Sequence, residues 1–178
     1  MSENNALVWS KDSFLTWSDF KAESNPAVFE DSYSFIKYRY TWTVNSDKIG
    51  NQILFFIENI QLFAEFYPVL SWVRISLTND NLLKHEQGHF DLAELIKREN
   101  QEKLQNKFHK KQFPTRGQNE EQRKQFAKED SGKMIAEEVE KLEHLLSQRS
   151  QEYNEHTNFG QNLEKQSEYN LIFDKLRL

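Results

Sequence analysis

The chain has 178 residues, no cysteine, a formal net charge of −5 and a pI near 5.6, with 14 Phe, 6 Tyr and 4 Trp. That length suffices for one domain with a sizeable core. The absence of cysteine excludes disulfides, thiolate nucleophiles and cysteine-type zinc sites. The acidic balance, with no basic stripe to neutralise phosphates, argues against a nucleic-acid partner.

Most aromatic residues fall before residue 75 and charge dominates afterwards, so the front half reads as a packed sheet and the back half as long, solvated helices. The opening residues, Met1-Ser2-Glu3-Asn4-Asn5, lack the basic and apolar regions of a signal peptide. No apolar run approaches the roughly 20 residues of a membrane helix. As written, the chain is expected to stay in the cytoplasm and off the membrane, unless a longer precursor carries a leader.

Residues 1–76 read as mainly β. Leu7-Val8-Trp9 is a short apolar piece, and Leu15 to Phe20 is another, either a turn of helix or a short strand. Asn25-Pro26 marks a loop. From 35 to 44 the chain alternates, with Ile36, Tyr38, Tyr40, Trp42 and Val44 on one face, as a half-buried strand does. Asn45 to Asn51 is turn material. Ile53 to Tyr67 is a second strand whose apolar phase changes near Glu58-Asn59, which predicts a bulge. Ser71 to Ile75 reads as a third, short strand.

Thr78-Asn79-Asp80-Asn81 is rich in N-cap residues. The segment 78–113 therefore predicts a helix from about Asn81 to Lys111, broken by Phe113-Pro114-Thr115-Arg116-Gly117. Residues 114–131 read as a connection in which the polar segment Gln118 to Asp130 is either helix or linker, with little to bury, and Asp130-Ser131-Gly132 is a second break or a cap. Residues 132–160 predict a second helix, from about Lys133 to Thr157, stopped by Gly160. In 161–178, the apolar residues Leu163, Tyr169, Leu171, Ile172, Phe173 and Leu176 suit a last short helix docked on the body.

The first long helix carries His85-Glu86-Gln87-Gly88-His89, an H-E-x-x-H pattern. At 3.6 residues per turn, the two histidines stand on one face and can bind one Zn²⁺ through neutral imidazole nitrogens. Glu86 projects about 100° away, where it can act as a general base toward a metal-activated water. The pattern is loose, and in an arbitrary protein it is usually accidental. Here both histidines share the inward stripe of Leu92 and Ile96, and Glu86 is not needed for packing. Gly88 costs about 1 kcal/mol relative to Ala in a helix interior, which predicts a close approach to the backbone there by a substrate or a strand.

Spacing offers a third ligand. From His89 to Phe113 and from Gly132 to His156 the chain runs the same number of residues, roughly 36 Å of helix. If the two helices pack antiparallel, His156 returns level with His89. Tyr153, on the same helix, is either a donor to the developing oxyanion or a packed core tyrosine. Asp91 is either a hydrogen-bonding orienter of a liganding imidazole or a surface carboxylate. Glu94 lies on the wrong face, and His109 and His144 read as solvated.

Four stretches also resemble a known family, the predicted secreted zinc-dependent proteases, a bacterial domain family of unknown function. Leu15-Thr16-Trp17-Ser18-Asp19-Phe20-Lys21 is similar to its L-x-W-x-D-F-K signature, and Ser71-Trp72-Val73 to the segment before its active-site helix. The stretch Leu82 to Leu95 resembles its L-L-x-H-E-Q-x-H-F-D-I-x-E-L block. Tyr153 to Gly160, with Gln166 and Tyr169, resembles its Y-D-x-x-T-x-H-G…Q-x-x-W motif. The chain departs from that motif at Asn154 (Asp in the family), Phe159 (His) and Tyr169 (Trp). The resemblance implies zinc, peptide hydrolysis and export. If the family's C-terminal histidine is a ligand, His156 is the residue here that stands in for it.

The expected fold is α+β and zincin-like, one domain with a small, mainly antiparallel sheet packed on two long antiparallel helices. The expected site holds zinc on His85, His89 and His156, with Glu86 as base and Tyr153 as oxyanion donor, acting on a peptide or protein. Two rivals stand beside it: a non-catalytic zincin-like protein that binds zinc or a partner through a degenerate third-ligand motif, and a helical interaction protein with a chance motif. Oligomeric state is left open.

Overall fold

A computed structural model describes residues 5–178. The polar residues 1–4, read above for a leader, lie outside the described residues. Among the described residues, small antiparallel sheets combine with three α-helices.

The centre of the sheet is one long hairpin. Strand β3 (Ile36–Ile49) and strand β4 (Gln52–Phe66) pair antiparallel across the two-residue turn Gly50-Asn51, where Gly50 takes φ +60°. The 45–49 stretch, read as turn material, is strand. The register steps from Thr41↔Gln61 to Thr43↔Glu58, so β4 carries one extra residue, with Asn59 at φ +52°. This is the bulge that the change of apolar phase predicted. The backbone it disturbs is satisfied by a helix. Gln101 donates to the Ile60 carbonyl at 2.6 Å and accepts from Leu62 N–H at 3.1 Å.

Strand β1 (Leu7–Val8) pairs with the far end of β4, opposite β3, leaving β3 as an edge strand. A second, two-stranded sheet joins β2 (Ser32–Tyr33) to β5 (Trp72–Val73). The Leu15–Phe20 piece contains a short 3₁₀ turn, Trp17–Asp19.

Helix α1 (Asp80–Phe108) begins at Asn79, whose side chain accepts from Leu82 N–H. It lays Phe90, Leu92, Ala93 and Ile96 against Ile60, Leu62, Ala64 and Phe66 of β4, all buried. After α1 the chain adds strand β6 (Phe113–Pro114) to β4. Helix α2 then runs unbroken from Glu120 to Thr157. Of the two readings of the polar segment 118–130, helix is therefore the one the chain adopts from Glu120, and Ser131-Gly132 is neither a break nor a cap. Those small residues seat Trp42 of β3. Ser131 accepts from the indole N–H at 2.8 Å, and a Cβ on Gly132 would lie 3.2 Å from the ring.

Helix α2 runs antiparallel to α1. Lys107 meets Glu138, Glu99 meets Arg149, and His89 meets Asn154. It ends on three successive residues with positive φ, Asn158, Phe159 and Gly160, and the chain turns back into helix α3 (Leu163–Asp174), which docks as expected. Among the described residues no helix is long and apolar enough to cross a membrane.

Candidate metal centre

The site lies where α1, α2, α3 and the β2 segment converge, at the base of an open cleft of about 650 Å³. His85 and His89, one turn apart on α1, both turn inward; His85 is almost fully buried. Their Nε2 atoms each lie 2.9 Å from Asn154 Oδ1 on α2. Donor atoms of His85, Glu86 and His89 all fall within 4.8 Å of one another, a group that could hold a metal ion.

The proton on His85 can be placed from its neighbours. Tyr153 O–H donates to the His85 carbonyl at 2.9 Å, so its oxygen is free to accept from Gln166 Nε2, 2.8 Å away. That fixes the Gln166 amide, whose oxygen lies 2.9 Å from His85 Nδ1. Nδ1 therefore carries the hydrogen in the neutral ring and donates to Gln166, and Nε2 presents a lone pair. The ring is locked further by stacking on Tyr153, with centroids 4.5 Å apart and planes 14° apart.

A lone pair on His85 facing the Asn154 oxygen at 2.9 Å is a meeting of two acceptors. It is relieved by a cation between them, or by an overturned amide whose NH₂ donates to the rings. Imidazole nitrogens are among zinc's preferred donors, and an amide oxygen is a weaker but possible third. The 2.9 Å from each nitrogen to the oxygen is close to the edge, roughly 3.3 Å, of a tetrahedron with 2.0–2.1 Å bonds. The residues present fit such an ion. Burial pulls the His89 imidazole down to about 4, more than the nearby Glu86 carboxylate lifts it, so this ring is neutral at physiological pH.

Glu86, 3% exposed, points toward β2. Its two oxygens accept from the hydroxyls of Ser32, at 2.6 Å, and Ser34, at 2.5 Å. These bonds hold the carboxylate at the cleft floor beside the histidines.

Two expected site residues are not part of this arrangement. His156 is exposed and shares a hydrogen bond with Tyr169 Oη at 2.7 Å, on the α3 side. The helix count brought α2 back to within two residues of the right level, but two residues turn a side chain about 200° around a helix. Asn154 faces in, so His156 faces away. Tyr153 is fully buried with its hydroxyl spent on the His85 carbonyl, so it positions α1 and does not reach the cleft. It also explains Gly88: a Cβ there would sit 2.0 Å from the Tyr153 hydroxyl oxygen, so the close approach is by a helix side chain and not by a substrate or a strand.

Asp91 is neither an orienter nor a surface carboxylate. It is buried, and its Oδ1 accepts from Trp9, Gln87 and Arg177. Glu94, read as lying on the wrong face of the helix for a ligand, pairs with Lys97 and Arg98.

Asn154, Gln166, Ser32 and Ser34 were not foreseen in these roles. Asn154 and Gln166 each fall inside the stretches that carry the resemblance, which was their only signal. The serines sit on a two-residue strand and just beyond it, where no periodicity marks them. No protein-family model, no curated protein and no solved structure matches this chain.

Proposed function

We propose that the protein is a zincin-like, zinc-dependent peptidase, related to the predicted secreted zinc-dependent proteases. The observation that carries this is the convergence of two imidazole nitrogens and an amide oxygen beside a buried glutamate at the floor of an open cleft. His85 and His89 would hold the zinc, with the Asn154 oxygen as third donor in place of His156. When bound, zinc polarises a carbonyl and brings the pKa of water toward neutrality. Glu86, steadied by Ser32 and Ser34, takes a proton from the attacking water and returns it to the departing amine.

A second reading is favoured by Asn154 itself. A neutral amide is a weaker zinc ligand than a carboxylate or an imidazole, so the chain could bind metal loosely and serve as a non-catalytic relative that engages a partner. Metal analysis separates the two. After reconstitution with Zn²⁺, the protein is expected to retain about one ion per chain, to lose it on His85→Ala, and to keep it on Glu86→Gln while losing hydrolysis of unstructured peptides. Zinc retention without any hydrolysis by the wild type would support the second reading, and no zinc retention would end the first.

A further inference from the structure

The wall of the cleft opposite α2 is an unpaired strand edge. Along the segment from Asp31 to Phe35, the odd-numbered residues spend their backbone on the sheets behind. Asp31 C=O accepts from Arg74 N–H, Tyr33 pairs with Trp72, Phe35 N–H donates to Ser71 Oγ, and Phe35 C=O accepts from Tyr67 N–H. By strand alternation, the N–H and C=O groups of Ser32, Ser34 and Ile36 point the other way, into the cleft. Tyr38 N–H confirms the direction, since it reaches Glu143 of α2 at 3.4 Å.

The charge around that edge is one-sided. Glu30 and Asp31 stand at one end, Glu143 and Glu155 line the α2 wall, and Glu86 lies at the floor; among the described residues Lys37 is the only ammonium in the lining. None of Glu30, Asp31, Glu143 and Glu155 forms an ion pair among the described residues, whereas Glu65, Glu94, Glu99 and Glu138 elsewhere all do. Five carboxylates against one ammonium leave a surplus of four, and a divalent ion at the histidines offsets two of them. A concave site of one sign focuses its field on an incoming ligand.

We propose that this cleft selects a cationic, extended polypeptide segment, rich in Lys or Arg, which adds as a strand to the Ser32–Ile36 edge with basic side chains reaching Glu30 and Asp31 on one side and Glu143 and Glu155 on the other. This rests on the cleft's being the peptide site of the proposed peptidase, and it names the substrate class.

The test uses three fluorescent, unstructured peptides of equal length, carrying alternating Lys, Ser or Glu. Their binding to zinc-reconstituted Glu86→Gln protein is read by anisotropy, and their cleavage by the wild-type protein is followed in parallel. The Lys peptide is expected to bind on the order of tenfold tighter than the Ser peptide at about 0.02 M salt, with the preference shrinking at about 0.3 M. The pair Asp31→Asn with Glu143→Gln should collapse that ratio. Glu102→Gln, which removes an exposed charge remote from the cleft, should not.

Equal binding of the Lys and Ser peptides, tighter binding of the Glu peptide, or no binding of any peptide overturns the proposal. Charge-selective binding with no cleavage keeps it and removes the peptidase reading. Cleavage of all three peptides at equal rates does the reverse.

Discussion

Gln166 decides which nitrogen of His85 carries the proton, and it does so from a helix that contributes nothing else to the metal centre. Replacing it with Leu removes the nearer acceptor for Nδ1–H and leaves only the Thr157 hydroxyl oxygen at 3.4 Å, so the ring is freer to place its proton on Nε2, where a metal must bind. Zinc affinity should fall about 10–100-fold in Gln166→Leu, the usual effect of losing the partner behind a liganding histidine, and Gln166→Glu should recover most of it. Titration calorimetry reads this directly, and an unchanged affinity in the Leu variant would show that the tautomer is set elsewhere. His89 gives a second handle in the metal-free protein. Below pH 6.5 the unfolded chain takes up a proton at this residue that the folded protein refuses until about pH 4. The contribution to stability is therefore whole above 6.5 and is lost as pH falls toward 4, on the order of 3 kcal/mol at most. Urea midpoints between pH 7 and 4.5 should fall more steeply for the wild type than for His89→Gln, and parallel slopes would contradict the assignment. At this scale the pair His85 and His89 was legible from spacing alone. Gln166 was not, because its meaning comes from a chain of donors and acceptors through Tyr153.

Between residue and fold stands α2, and its phase decides the site. The first third of this helix is polar and buries little beyond Ala127 and Ser131, so apolar periodicity could not reveal it. It is held instead by its start and its neighbours. Asn119 accepts from Gln122 N–H, Glu120 and Glu121 sit in the first turn, and Arg116 pairs with Asp130 while its guanidinium covers Phe126. Glu129 is an exposed position in this stretch. Glu129→Pro should cost about 3 kcal/mol if the helix is continuous there and almost nothing if the segment is a connection; chemical denaturation distinguishes the two. The counted arms of the helical hairpin gave the right level but could not fix rotation. Rotation is set by Tyr153, which stacks on His85 and lies over Gly88, so Asn154 turns in and His156 out.

The molecule as a whole is closed by a clasp between its two ends. The Trp9 indole N–H and the Arg177 guanidinium both donate to Asp91 in the middle of α1, each at 2.8 Å, and that guanidinium lies over the rings of Trp9 and Phe14. Burial pushes the Asp91 carboxyl up by more than these donors lower it, so it lies above its ordinary value. Arg177→Ala leaves a buried carboxylate without its cation and should destabilise the fold by about 3 kcal/mol, read as a shift in the denaturant midpoint; a change within a few tenths of a kcal/mol would show that the clasp is dispensable. No local pattern announces a contact across 82 or 86 residues, so this part of the fold was invisible in the sequence, whereas the β3–β4 hairpin with its bulge, and the succession of sheet and then helices, were not. Tying both ends to α1, two residues beyond His89, braces the helix that carries the histidines. The most direct test of the account is to locate a metal by anomalous scattering in crystals grown with Zn²⁺. The predicted peak lies among His85 Nε2, His89 Nε2 and the Asn154 side chain, beside Glu86. A peak ligated by His156, or no peak at the His85–His89 pair, would contradict it.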